Sequence, residues 1–238
     1  MNNKTSITSE LITGEQLDVL FSTETWLKLE TADKVLRNAT PEDFRFFLHV
    51  SSEVFGRRGT AIQFSKVLHG KQMQFDNMET FECVVTVLQH TEWEEPVLSI
   101  NLYRPPEKTL TTIRNFLDEF QELLIQVSKN DKNIIVTGDF NIWVDCDEKT
   151  YVKEFKELLS ENGFDMHPKE PTHCYGHTLD LVLNKNVEIS DVEVHDNISD
   201  HNTVYFNWRP VPGDKRKKQD EDGKRFKKGN LSFSQSVK

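Results

Sequence analysis

The apolar positions of this chain change period several times, and those changes divide it into elements. Ile7, Leu11 and Ile12 recur at helical spacing over residues 5–15, with Gly14 as the exit. The next run, LDVLFSTE over 17–24, is apolar with a carboxylate at its end and predicts a strand. Segments 44–50, 59–66, 79–88 and 97–103 are rich in Phe, Val and Ile and predict further strands. Pro105 and Pro106 stop the last of these. A helix is expected over 107–128, because Leu110, Ile113, Leu117, Phe120 and Leu124 share one face. Ile134, Ile135 and Val136 form a short apolar run suited to a strand buried on both faces. Gly138 breaks that strand, and Asp139 and Asn141 follow just past its end. A second amphipathic helix is expected over 149–162, closed by Gly163. Strands over 179–183, 187–194 and 202–208 complete a pattern that predicts an α/β sandwich in one domain, residues 1–212.

After Pro212 the composition changes. KRKK and KRFKK blocks flank an acidic QDED, and the last residues are Ser-rich, so 213–238 is expected to be a disordered charged tail. From Asp214 onward nine Lys/Arg face four Asp/Glu, a net of +5. The whole chain carries −10, so the remainder carries −15. An acidic body of that kind argues against a broad basic nucleic-acid-binding surface and is compatible with a carboxylate-rich metal site. No apolar run approaches the roughly 18 residues that span a membrane, and the first ten residues lack a signal peptide's apolar core. Cys83, Cys146 and Cys174 are widely spaced without a CxxC, which points to neither zinc nor a disulfide framework. An intracellular location is expected, with the basic blocks of the tail suited to nuclear import.

Polar side chains gather at the ends of the expected strands: Glu24, Tyr103, Asp139, Asn141, Asp180, Asp200 and His201. Ligands of α/β proteins collect outside the carboxyl ends of strands. Asp180, inside LDLVL, needs a partner if it is buried, and it could hold a His imidazole in one tautomer as a general base. Such a set fits Mg²⁺-assisted attack of water on a phosphodiester, since hard carboxylate oxygens suit Mg²⁺. No Gly-rich phosphate loop and no serine-nucleophile elbow is present in the sequence.

The ordered set TETWL (23–27), NLYRPP (101–106), GDFN (138–141), PTHCYGHTLDLVL (171–183) and SDH (199–201) resembles the endonuclease/exonuclease/phosphatase superfamily. More narrowly, it is similar to the apurinic-type endonuclease domain of non-LTR retrotransposons. The resemblance implies a DNase-I-like, four-layer α/β sandwich with two packed mixed sheets and the site at one end. It implies Glu24 as a metal ligand, assisted by Asp200, with Mg²⁺ as the ion and Mn²⁺ able to replace it. Tyr103 would contact the phosphate under attack, Asp139 would orient water, and Asn141 would stabilise the pentavalent phosphoryl group. His201, held by Asp180, would be the general base, and Thr172 and His173 would lie in a loop near the nucleic acid.

Against the family pattern the chain reads as N-terminally truncated, lacking the first strand and its terminal Asn; two strand edges are then expected to face a gap. Arg57-Arg58-Gly59-Thr60 is poorer in glycine than the family turn, and Trp143 stands where His is common. The function expected is a Mg²⁺-dependent endonuclease that nicks DNA as a monomer and is impaired by the lost strand. The alternative is a non-catalytic retroelement remnant that binds nucleic acid or protein.

Overall fold

A computed structural model describes residues 2–50, 58–75, 78–106, 109–129, 132–195, 199–212 and 229–231. In chain order these form α1 (Asn2–Gly14), β1 (Val19–Thr23), α2 (Ala32–Ala39), β2 (Phe44–His49), β3 (Thr60–Ser65), β4 (His69–Met73), β5 (Glu82–Gln89) and β6 (Val97–Tyr103). There follow α3 (Leu110–Val127), β7 (Asn133–Asp139), α4 (Thr150–Glu161), β8 (Asp165–His167), β9 (Asp180–Lys185), β10 (Val187–His195), β11 (Thr203–Pro210) and β12 (Gly229–Leu231). One sheet runs β10-β11-β12-β1-β3-β2 and the other β4-β5-β6-β7-β9-β8. Both are mixed, through parallel β1–β12 and β6–β7 pairs.

Strand alternation assigns the layers. Ile135 of β7 joins Val19, Phe21, Ile62, Phe64, Val182 and Phe206 between the two sheets. Its neighbours Ile134 and Val136 face outward, onto Phe116, Phe120, Leu124 and Phe155 of α3 and α4. On the outer face of the other sheet, Leu20 and Tyr205 pack with Ile12 of α1. The molecule is therefore the expected four-layer α/β sandwich. Asn101 ties the sheets together with polar bonds, its amide donating to the carbonyls of Ser22 at 2.7 Å and Ala61 at 3.0 Å.

Several expectations change in detail. The helix expected over 107–128 begins at Leu110, because Thr109 takes the N-cap and accepts the Thr112 N–H at 3.2 Å. Gly163, at φ 72°, closes α4 as expected, donating to the Ser160 carbonyl. Four elements were not expected from the sequence: α2 is only 8 residues long, β4 and β8 are edge strands of polar composition, and β12 falls in the expected tail. The expected gap beside β1 is corrected, because β12 lies there, parallel to β1 and antiparallel to β11 over 229–231. Ladder edges of two interior strands otherwise lack partners, which is the physical reason for filling the slot. The rest of the tail, 213–228 and 232–238, lies outside the described residues.

Candidate active site

Register brings the polar strand ends together. Tyr103 at the end of β6 is paired with Asp139 at the end of β7, and Asp139 is paired with Asp180 at the start of β9. Three of the expected site side chains thus stand side by side at one rim of one sheet. Gly138 permits the approach. It sits at φ 141°, and a Cβ there would lie 1.8 Å from the Leu102 carbonyl oxygen, so no other residue fits.

Asp139 is fully sequestered and its carboxylate is held on both oxygens. The Asn141 backbone N–H donates to Oδ1 and the Asn141 amide to Oδ2, each at 2.9 Å. Asn141 takes φ 49°, which brings its amide back over Asp139 and onto the Arg104 carbonyl at 2.7 Å. Burial raises the Asp139 pKa well above the carboxylate range; the His201 charge opposes this, while Asp180 and Glu24 add to it.

His201 enters from the segment before β11. Its Nδ1 faces both Asp180 oxygens, at 3.1 and 2.9 Å, and Asp180 is 0% exposed. Burial alone would lower the imidazole pKa. The Asp180 carboxylate, by charge and hydrogen bond, outweighs it and pushes the value up to about 10. A β-bridge to His173 and the Asn202 N–H bond to the Thr172 carbonyl hold this segment in place. Asp200 lies beside His173, at 3.9 Å from its Nε2.

Glu24 follows β1 in the opposite sheet, at φ 49°. The Thr25 and Trp26 N–H groups donate to the Gly59 and Arg58 carbonyls, which fixes the turn. Gly59 must be glycine here, since a Cβ would meet the His49 carbonyl oxygen and Thr25 Oγ1, each at 2.8 Å. Tyr103 is buried between the sheets, with its hydroxyl accepting from Arg58 at 2.7 Å. Burial, the Asp139 and Glu24 charges and a hydrogen bond to Glu24 all raise its pKa, so the phenol keeps its proton.

Every expected residue is thus at this end. One ligand atom each from Asp139, Asp180 and His201 lie within 4.8 Å of one another, and the same holds for His173, Asp200 and His201. Thr172 departs from expectation. It is buried, and its hydroxyl accepts the Leu179 and Asp180 N–H groups at 3.0 Å, so it supports Asp180 from within. The sequence reading missed Arg104, which is 2% exposed, donates to the Phe140 and Asn141 carbonyls and lies over the Phe116 ring. It also missed Arg58 and Glu82; the latter accepts the Gly59 N–H at 2.8 Å. Arg104 inside NLYRPP, Arg58 beside Gly59 and Glu82 ahead of the apolar CVVTVL run were the available signals.

Residues 97–205 match the family model described as endonuclease-reverse transcriptase. The endonuclease domain of TRAS1, a telomere-specific non-LTR retrotransposon, has a TM-score of 0.66 at 17% identity, with 87% of this chain and 92% of that one covered. The chain has the endonuclease/exonuclease/phosphatase fold. Within that fold it is also similar to the AP endonuclease LMAP from Leishmania major (TM-score 0.70, 16% identity, 89% and 84% covered). The human Nocturnin catalytic domain is another such neighbour (TM-score 0.65, 15% identity, 88% and 87% covered). No curated protein matches the sequence. The matched segment of this endonuclease/exonuclease/phosphatase-fold chain holds Tyr103, Asp139, Asn141, Asp180 and His201, the residues that meet at one rim.

Proposed function

We propose that the chain is a Mg²⁺-dependent phosphodiesterase that nicks DNA. One observation carries this reading: the buried Asp180–His201 pair stands directly beside the register-matched Asp139, with Glu24 facing them from the other sheet. The donor set fits a hard divalent ion, because Glu24, Asp139 and Asp180 concentrate negative charge that burial makes unfavourable. Glu24 and the neighbouring carboxylates would hold Mg²⁺ or Mn²⁺, and the ion would supply charge neutralisation at the phosphate.

The chain's own groups do the rest. Asp180 holds the Nδ1–H of His201, so the neutral imidazole has Nε2 free to accept a proton from the attacking water; the raised pKa places the acid limb of that role on the alkaline side. Asp139 orients that water. The Asn141 amide, whose two N–H groups rest on Asp139 and the Arg104 carbonyl, and the Tyr103 hydroxyl, which rests on Glu24, exchange one of those bonds for a phosphoryl oxygen as charge develops there. The neighbours also include a mannosyl-6-phosphatase from Bacteroides thetaiotaomicron, so the fold alone does not choose the substrate. The endonuclease-reverse transcriptase match over 97–205 favours a nucleic-acid diester. No helix among the described residues is long and apolar enough to cross a membrane.

The test compares supercoiled plasmid with a small phosphomonoester, both with Mg²⁺. Nicking with negligible monoester turnover is expected; the reverse preference refutes the nuclease reading. The protein acts as a monomer in this reading, and the basic blocks of the tail direct it to the nucleus. A reporter fused to residues 214–238 that stays diffuse would refute the last point.

A further inference from the structure

A second polar cluster lies outside the rim and shares no residue with it. Asp145 and Cys146 follow GDFN, and His177 precedes β9; their ligand atoms all lie within 4.8 Å of one another. His177 Nδ1 is 2.8 Å from Asp145 Oδ2, and Cys146 Sγ is 3.9 Å from both of those atoms. We propose that Asp145, Cys146 and His177 form a cation site for Zn²⁺ or a similar borderline divalent ion, clasping the 143–149 segment to the 172–178 segment.

The geometry is close to what such an ion requires. Metal bonds of about 2.3 Å to sulfur and about 2.0–2.2 Å to nitrogen and oxygen, arranged tetrahedrally, separate the ligand atoms by roughly 3.3–3.6 Å. The thiol therefore closes by a few tenths of an ångström, and the Asp–His contact opens by a similar distance. The ligands are also held from behind. Asp145 Oδ1 accepts the Thr178 N–H at 2.9 Å, so Oδ2 stays available. The His177 ring stacks on Trp143 at 3.8 Å and 10°, which fixes its plane, and Lys149 Nζ lies 4.3 Å from the Trp143 ring centre. The Val144 N–H to Thr178 carbonyl bond joins the two segments at the backbone.

The chemistry differs from that of the rim. A thiolate and an imidazole select zinc over magnesium, which prefers oxygen donors. Binding exchanges the Cys146 proton for the ion and releases that proton to solvent, and three protein ligands leave one position for water. A zinc spacing is absent from the sequence because the ligands come from two segments that only the fold brings together. The 172–178 segment also carries His173, whose ring centre is 4.7 Å from that of His201. Fixing it constrains one wall of the rim.

The decisive titration uses the full chain, stripped of metal and supplied with Co²⁺. One equivalent should produce a near-ultraviolet thiolate-to-cobalt band, displaced by stoichiometric Zn²⁺ and untouched by excess Mg²⁺. Cys146→Ser should remove the band and weaken Zn²⁺ binding by about 10–100-fold or more. Cys174→Ser should keep both, and His177→Gln serves as a second ligand variant should Cys146→Ser fail to fold. Cobalt bound without a thiolate band, or a band surviving in either ligand variant, overturns the site and leaves a plain Asp–His hydrogen bond beside a neighbouring thiol.

Discussion

Replacing Asp180 by Asn removes one charge from a buried pair while keeping its shape. Asp180 is completely buried and His201 is 8% exposed, so water cannot screen what is lost. Removing one member of a buried ion pair costs about 3–5 kcal/mol, against about 5–15 kcal/mol for a whole domain. Asn keeps an acceptor for Nδ1–H, so the lower end of that range is expected. In the wild type the imidazole pKa stands at about 10, above its ordinary 6.5. The stability it contributes is therefore complete below about 6.5 and is lost as pH rises through about 10. In Asp180→Asn burial is opposed only by the Asp139 and Asp200 charges, so the pKa falls back toward its ordinary value and that alkaline decline shrinks. Activity moves with it: nicking should drop by about 10²–10⁴-fold, and its acid limb should shift to lower pH. Thermal unfolding of metal-free protein across pH 6–11, with nicking rates over the same range, measures both. An unchanged alkaline slope together with an unmoved acid limb would refute the pairing argument.

Gly138→Ala should destabilise by more than about 4 kcal/mol and leave little folded protein, because its Cβ would meet the Leu102 carbonyl oxygen. Circular dichroism melts and soluble yield check this; a native-like melt contradicts it. Deleting residues 229–238 removes β12 from between β1 and β11. Losing ladder bonds worth about 0.5–1.5 kcal/mol each on both edges should lower the denaturant midpoint. An unchanged midpoint would show that the strand contributes nothing.

The rim was legible in the sequence because its residues interrupt apolar runs: Asp180 within LDLVL and Asp139 after Gly138 have no place in an interior strand unless they do something polar. The supports were not legible. Asn101 sits in the apolar run of β6 as one more polar position, and only the second sheet reveals the carbonyls it joins. Thr172 and Arg104 likewise depend on partners distant in sequence. β12 was hidden for the opposite reason. Gly-Asn-Leu carries no strand pattern, and its place comes from the ladders on either side of it.

In the proposed reaction the carboxylate rim hydrolyses phosphodiesters with a divalent cation and His201. Plasmid nicking by wild type, Glu24→Gln and His201→Ala, each with Mg²⁺ and with EDTA, tests it most directly. Wild type with Mg²⁺ should nick, Glu24→Gln should lose about 10²–10³-fold, His201→Ala should lose at least as much, and EDTA should abolish the reaction in all three. Nicking by His201→Ala or Glu24→Gln at the wild-type rate, or wild-type nicking that persists in EDTA, would contradict the account.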